Sequence, residues 1–437
     1  MTRQLWAYMN NTLVGVLRDV NGLWSFRYAD EWLTNPHGFA LSPHLPLQVQ
    51  PHVDGGSIRH VQWYFDNLLP EEGQRTLLAN DAQVDVADAL GLLAFYGAES
   101  AGSLTLLVSE MSEQNEGGLK TLPDDVISAR IHNLPSVSLT QAALKRMSLA
   151  GAQHKLAVVM NNKQLFEPYG AQPSTHILKP DHPDDAYPHS VANEWFTVRL
   201  ARRLGLQVPN VYRRYVPEPV YLIERFDRFK DGGSWQRRHV IDACQLLGLS
   251  HSYKYAQGTV EALARLAQKC RSSAVSRARL YQWLIFNVLV GNSDAHLKNL
   301  SFLVSHNGIE LAPHYDLLSV ACYETRAFYQ EESWPTQTAL AWPILNASRF
   351  NELDAHTLLA AGQTLGLSLA TARRLLQVMQ KKVLSEAVKL YDEVLTENEI
   401  LVRTRPRLKA TFAGENRVLR TIIHTVIKDM TEQIRVK

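Results

Sequence analysis

The stretch Asn287–Leu318, NVLVGNSDAHLKNLSFLVSHNGIELAPHYDLL, constrains this chain more than any other. It sets Asp294, His296, Lys298, Asn299, His314 and Asp316 between apolar runs. Upstream, Leu280, Trp283, Leu284, Asn287 and Val288 recur at helical spacing. A buried helix is therefore expected to end at Gly291, a residue suited to a C-terminal cap. Downstream, Leu300–Val304 and Ile309–Leu311 read as short strands around Asn307-Gly308, a strong hairpin signal. Taking Asn307 and Gly308 as the loop residues sets His306 opposite Ile309 and, counted back, Asn299 opposite Asp316. Directly opposed residues have Cβ atoms about 4.5–5.5 Å apart and share a face. The other face would carry Leu300, Phe302, Val304, Leu311 and Tyr315 into a core. The hairpin would thus present an amide and a carboxylate together, oxygen donors for a hard cation such as Mg2+. Asp294, on the loop between helix and strand, would add a second carboxylate nearby.

An aspartate, an asparagine shortly after it, and a further aspartate beyond a hairpin follow the order in which kinases place their base and metal ligands. For any one of these residues, a polar loop capping a helix is the plainer explanation; the joint pattern outweighs it. The segment Ser148-Leu-Ala-Gly-Ala-Gln-His-Lys155 precedes a predicted strand, Leu156–Met160. A loop of small residues there can turn backbone N–H groups toward phosphate, although its single glycine matches neither common nucleotide-loop consensus. Thr175–Lys179 reads as a strand ending on a lysine, and Ala192–Leu204 as a helix with Glu194 near its start. Strand lysine followed by helix glutamate is the kinase device for orienting a phosphate-binding lysine. Strands Val211–Val216 and Val220–Ile223 then run into Glu224-Arg-Phe-Asp-Arg228.

The remaining elements frame these motifs. Leu5–Met9, Leu13–Leu17 and Leu23–Tyr28 predict a meander turned by Asn10-Asn11 and Asp19-Val20-Asn21-Gly22. Gln62–Leu69, Val84–Tyr96 and Leu139–Met147 predict helices, and the polar run Ser109–Gly118 a linker. From Ile241 the chain is helix-rich, with long amphipathic helices over Leu358–Ala387 and Val418–Ile434 whose apolar stripes suit a core. With 437 residues there is material for two or three domains, and 46% apolar with 20% charged residues is ordinary globular composition. A net charge of +2 supplies no global field for nucleic acid or membrane surfaces. Cys244, Cys270 and Cys322 form no metal motif and suit a reducing compartment. No apolar core of a signal peptide follows Met1, and no run reaches membrane-spanning length, so a cytoplasmic protein without membrane partners is expected.

Seven motifs in order resemble the HipA family of bacterial serine/threonine kinase toxins. They are Phe65-Asp-Asn-Leu-Leu-Pro-Glu71, Ser148–Lys155, Thr175–Lys179, Asn193-Glu194, Glu224–Arg228, Asp294-Ala-His-Leu-Lys-Asn299 and His314-Tyr-Asp316. The resemblance spans nearly the whole chain. It implies an α+β, two-lobed protein-kinase-like fold. An additional β-rich N-terminal subdomain (1–109) would precede a mixed N-lobe with phosphate loop and hinge (135–240) and a mostly helical C-lobe (241–437). It implies ATP and Mg2+ as cofactors, Asp294 as proton acceptor, and Asn299 and Asp316 as metal ligands. Ala150, Gly151, Ala152, Gln153, His154 and Lys155 would form the phosphate loop, and Lys179 would pair with the phosphates. Glu224, Arg225 and Phe226 would be the adenine hinge, largely through backbone groups. His296, Lys298 and Tyr315 would lie beside the nucleotide, and Ser148 matches an autophosphorylated serine.

The resemblance further implies a helix-turn-helix antitoxin of the HipB type as partner and a translation component, an aminoacyl-tRNA synthetase by precedent, as protein substrate. Some members touch operator DNA through a basic C-lobe loop. Asn346–Ala355 here holds no Lys/Arg cluster, so DNA is expected only through the antitoxin. The metal-binding aspartate sits in His-Tyr-Asp-Leu rather than Asp-Phe-Gly, so activation-loop rules of eukaryotic kinases do not transfer. Two other functions fit parts of the pattern. A metal-dependent hydrolase would use Asp294, His296, His314 and Asp316, with the histidines favouring a transition metal. A non-catalytic co-repressor would only bind an antitoxin.

Overall fold

Asn10-Asn11 and Asn21-Gly22 each adopt positive φ (47° and 69°; 54° and 81°), the mirror-type turns whose twist matches that of the strands they join. They close Thr2–Met9, Thr12–Val20 and Leu23–Tyr28 into the expected meander, extended by His52–Val53 on one edge and Thr105–Leu107 on the other. Leu5, Ala7, Leu17, Phe26 and Tyr28 are buried on this sheet. The helix His60–Asp66 meets it through Phe65, whose ring centroid lies 5.4 Å from that of Phe26. The predicted helix Val84–Tyr96 is shorter, Ala89–Tyr96, because Asp88 caps it by accepting from the Gly91 N–H. A helix at Glu72–Ala82, not expected from the sequence, precedes it. The structure, a computed structural model, describes residues 2–110, 117–141, 143, 145, 147, 149–329 and 333–435.

The chain forms two compact units. The first comprises residues 1–180, 215–254 and 301–312, and the second residues 181–214, 255–300 and 313–437. Besides the meander, the first unit holds an antiparallel sheet running Pro219–Glu224, His176–Pro180, Leu156–Asn161, Gln164–Tyr169 and Gly118–Thr121 in that order. Leu156, Ala157, Val158, Leu178, Val220 and Leu222 form its core with Ile127 of the helix Asp124–His132, which the sequence reading missed. The described residues of Leu139–Met147 carry turns and bends rather than the expected helix. A third sheet joins Val240–Asp242, Ser301–Ser305 and Gly308–Leu311.

That last hairpin corrects the predicted register. Ser305 pairs with Gly308, and the pairing continues to Phe302 opposite Leu311. The loop residues are therefore His306-Asn307, not Asn307-Gly308. Among the described residues, Gly308 (φ 105°) is the turn's one positive-φ position, so this is not the mirror-type turn that an Asn-Gly pair favours. Asn299 lies in the 3-10 turn Leu297–Asn299, before the strand begins, and is not the strand partner of Asp316. The predicted core face survives because the pairing moved by two positions: Leu300, Phe302, Val304 and Leu311 are all buried.

The second unit is mostly helical, with the hairpin Ala339–Ile344 and Ala347–Arg349. Helix Ser273–Val290 ends at Gly291 as expected. The amphipathic run from Leu358 is two helices, Ala355–Thr364 and Leu369–Thr404, separated at Gly366 (φ 87°). Ser368 starts the second by accepting from the Thr371 N–H. Its buried Ala372, Leu376, Met379, Val383, Ala387, Leu390 and Val394 fall at three- and four-residue intervals, the stripe of a core-facing helix. The last helical run begins at Leu408, earlier than predicted, and includes a π-helical turn, Ile422–Ile427. No helix among the described residues is long and apolar enough to cross a membrane. The α+β, two-lobed, protein-kinase-like class expected from the sequence is the class of this chain.

Candidate active site

The predicted site residues fall into two groups, one on each unit. On the first unit, the loop Ala150–Lys155 leads into the strand Leu156–Asn161. Gly151 takes φ 100°, a conformation costly for any residue with a Cβ. The loop is braced on both sides. Lys155 Nζ donates to the Ala150 carbonyl at 2.6 Å, Pro70 bridges to Gly151, and Gln74 Nε2 lies 2.9 Å from a ring nitrogen of His154. Two of these braces come from the Phe65–Glu71 motif and the helix after it. Ala152 and Gln153 complete the bend. Ser148 lies outside the described residues.

Lys179 is buried in the strand His176–Pro180, its ammonium 5.8 Å from the ring centroid of its cross-strand partner Tyr221. The predicted hinge begins where Glu224 pairs with His176 and the Arg225 N–H donates to the Thr175 carbonyl. The Arg225 side chain is committed elsewhere: it bonds Asp227 at 2.7 Å, Glu99 at 3.2 Å and Ser174 at 3.0 Å. The Arg225 guanidinium is thus held within the protein; Phe226 follows it half-buried.

Sequence reasoning missed Glu99. This fully buried carboxylate also binds Lys145, Arg228 and Arg237 at 2.9, 2.8 and 2.7 Å. Burial alone would push its carboxyl up, but Arg237, Lys145, Arg228 and Arg225 hold it well below the usual carboxylate range. The same crowding of cations, after burial, lowers Arg228 to about 10. The only hint in the sequence was two arginines within Glu224–Arg228, at a strand end too apolar to solvate both.

On the second unit, the turn after helix Ser273–Val290 is a lattice of backbone and amide contacts. Gly291 takes φ 65°, and a Cβ there would meet Val426 Cγ1 at 2.7 Å and Ala321 Cβ at 2.8 Å. Gly291→Ala is expected to cost about 2–4 kcal/mol from left-handed strain plus overpacking. Urea unfolding measures it, and a loss under about 1 kcal/mol would contradict the packing described. Beyond it, Asn292 Nδ2 donates to Asn287 Oδ1, and its own Oδ1 accepts from the Asp294 N–H. Asn299 Nδ2 donates to the Asp294 carbonyl at 2.9 Å, which leaves Oδ1 as its oxygen for a cation. Tyr255, a residue not anticipated, donates its hydroxyl to Asp294 Oδ1 at 2.5 Å and packs edge-on to the His296 ring.

The segment holding Asp316 is tied to this loop without strand pairing. Tyr315 donates its hydroxyl to the Lys298 carbonyl at 2.8 Å, tying the residue before Asp316 to the residue before Asn299. Asn193 holds the segment's far end, exchanging two 2.8 Å hydrogen bonds with the Ser319 backbone. Asp316 itself adopts φ 56°, in the left-handed region that aspartate tolerates better than most residues with a Cβ. An amide oxygen and a carboxylate are hard donors and suit Mg2+.

His314 belongs to the core instead. Its ring is buried and stacks on Trp283 at 6.4 Å, and Nε2 has no hydrogen-bond partner among the described residues. Among those residues no cluster of three or more His, Cys, Asp or Glu could hold a metal, so the four hydrolase ligands are not gathered. Burial, then Arg279, lowers His314 to about 3. A base depressed in the fold is protonated first in the unfolded chain, so stability should fall as pH drops from 6.5 toward 3. The expected loss from this residue is about 2 kcal/mol at about pH 5. Urea midpoints should therefore fall less on acidification in His314→Gln than in the unaltered protein; equal slopes would refute the burial-driven shift.

The HipA N-terminal domain matches residues 5–107, and the HipA-like C-terminal domain matches residues 147–387. The protein Y4mE of Sinorhizobium fredii is 35% identical over 337 residues, 74% of this chain and 78% of its own. The serine/threonine-protein kinase toxin HipA of Shewanella oneidensis is 34% identical over 320 residues, 68% of this chain and 70% of its own. The solved complex of Shewanella oneidensis HipA with HipB and its operator DNA includes a chain of TM-score 0.75 and 26% identity, covering 99% of this chain and 100% of that one. Both halves of this chain and the fold they adopt agree: the chain belongs to the HipA family of serine/threonine-protein kinase toxins.

Proposed function

We propose that this protein transfers the γ-phosphoryl group of ATP to a serine of a protein substrate, with Mg2+ as cofactor. The observation that carries this assignment is the lattice after Gly291. There Asn299 is fixed on the Asp294 carbonyl and Tyr315 ties the Asp316 segment to Lys298. In the proposed assignment Asp294 accepts the proton of the attacking hydroxyl, and Tyr255 holds its carboxylate in place. Asn299 Oδ1 and Asp316 would hold Mg2+, which neutralises phosphate charge when bound. Lys179 neutralises the nucleotide phosphates, and the braced loop Ala150–Lys155 offers them backbone N–H groups. Glu224–Phe226 present hinge backbone to adenine, and His296, Lys298 and Tyr315 flank the nucleotide. Phosphoryl transfer asks mostly for positioning and charge neutralisation, which a rigid lattice of this kind supplies.

The finer assignments follow the family. Residues 1–109, 135–240 and 241–437 serve as N-terminal subdomain, nucleotide lobe and catalytic lobe. Ser148, three residues before Gly151 in the sequence, is the autophosphorylation site; a phosphate on it adds about −1.5 to −2 charges and would compete with ATP. The partner is a HipB-like antitoxin, as in the Shewanella oneidensis complex, with DNA reached through it. The substrate is a translation component such as an aminoacyl-tRNA synthetase, and the protein acts in the cytoplasm. Incubation with γ-labelled ATP and Mg2+, followed by mass spectrometry, tests the assignment. Label on Ser148 is the expected result, and stoichiometric Zn, Mn or Fe with no nucleotide binding would favour the hydrolase instead.

A further inference from the structure

The second unit carries a polar cleft outside the catalytic loop. It lies where Tyr391 of helix Leu369–Thr404 faces the C-terminal helical run, and it encloses ≈ 490 Å³. Asn416, Arg417, Arg420, His424 and Thr425 line it. Helical spacing puts these residues on one face, so the Arg417 and Arg420 charges stand three residues apart, an arrangement that weakens a helix.

Elsewhere the same helices neutralise their arginine neighbours. Arg199 pairs with Glu397, Arg203 with Glu393, and Arg213 with the buried Glu415. In the cleft no such pairing occurs: among the described residues neither Arg420 nor His424 is in an ion pair. Arg417 donates to the Ala327 carbonyl and lies over the Phe328 ring at 5.0 Å, which fixes its guanidinium while leaving other N–H groups for a ligand.

Two further features point to a ligand. The helix opens into the π-helical turn Ile422–Ile427 at this place, burying Ile422, Ile423, Val426 and Ile427 and leaving His424 and Thr425 on the cleft. Such turns are rare and concentrate at functional sites. Asn416 Oδ1 is buried with no hydrogen-bond partner among the described residues, an acceptor open to a donor from a ligand. The volume falls within the range of about 300–1,000 Å³ typical of small-molecule sites.

We propose that this cleft binds a small phosphorylated metabolite of the sugar-phosphate class. Its phosphate is held by Arg417, Arg420 and His424, and one of its hydroxyls donates to Asn416 Oδ1. The proposal is independent of the kinase chemistry.

Titration calorimetry of the full chain, saturated with a non-hydrolysable ATP analogue to fill the nucleotide site, tests it with ribose 5-phosphate and inorganic phosphate as probes. The expected result is saturable binding of both, tighter for ribose 5-phosphate. Arg420→Ala with His424→Ala, both on exposed residues, should weaken both probes by about tenfold or more, since charge-assisted hydrogen bonds are lost. Asn416→Ala should remove the preference for ribose 5-phosphate, and analogue affinity should stay unchanged in all variants. No binding up to about 10 mM, well beyond a millimolar dissociation constant, overturns the proposal, as does binding indifferent to the double substitution. Tight binding of duplex DNA in place of ribose 5-phosphate would also overturn it. Failure of the ATP analogue to bind would count against the kinase assignment alone.

Discussion

Asp294→Asn is expected to lower phosphoryl transfer by about 10²–10⁴-fold, the usual worth of general-base help, with ATP affinity unchanged. The local structure separates these two effects. Asn299 anchors to the backbone carbonyl of Asp294, which the substitution leaves in place, and Asn292 Oδ1 still receives the residue's N–H. An asparagine oxygen can also accept the Tyr255 hydroxyl that now bonds Asp294 Oδ1. The loop therefore keeps its shape and loses only a proton acceptor. Lys179→Ala provides the contrast: it removes a buried ammonium assigned to the phosphates and should weaken nucleotide binding itself. Label transfer and nucleotide titration on the two variants distinguish the roles. Loss of ATP affinity in Asp294→Asn as severe as in Lys179→Ala would show that Asp294 serves the nucleotide rather than the acceptor hydroxyl.

How far the sequence disclosed this site depended on how local each signal was. The helix ending at Gly291 was legible because its apolar spacing and its terminal glycine lie within one short segment. The hairpin was legible as a hairpin, and its core face was assigned correctly for Leu300, Phe302, Val304 and Leu311 but not for Tyr315, which is half-buried and bonds the Lys298 carbonyl. Its register was not, because the Asn-Gly rule assumes positive φ at both loop residues. Here Gly308 takes the positive φ inside the first pair instead. Asn299 and Asp316 were paired for a reason that fails. The contact relating their segments is the hydroxyl of Tyr315 on the Lys298 carbonyl, which no strand count anticipates. Tyr255 and Glu99 were invisible for a similar reason. Tyr255 meets Asp294 from 39 positions away, and Glu99 collects its partners from as far as Arg237, without any periodic pattern to announce either.

Glu99→Gln is expected to destabilise the first unit by about 3–5 kcal/mol at neutral pH, the cost of stranding buried charge. Glu99 and Asp227 together face Lys145, Arg225, Arg228 and Arg237, so two carboxylates already oppose four cations in a site closed to water. A glutamine can still accept hydrogen bonds there, but it leaves one carboxylate against four cations. The pH dependence identifies the mechanism. The folded-state carboxyl of Glu99 is held well below its ordinary value of 4.5, so its contribution is complete above that value and fades as pH falls beneath it. The difference in urea midpoint between the two proteins should therefore be widest at neutral pH and shrink only in the acid range below 4.5. Under the proposed assignment the same contacts reach the nucleotide site. Glu99 holds the Arg225 side chain whose backbone N–H is bonded to Thr175, and its backbone bridges to Met147 beside the phosphate loop. Loosening both should weaken ATP binding as well as the fold. A Glu99→Gln protein within about 1 kcal/mol of the unaltered one would mean that water reaches these cations and that the network is not closed.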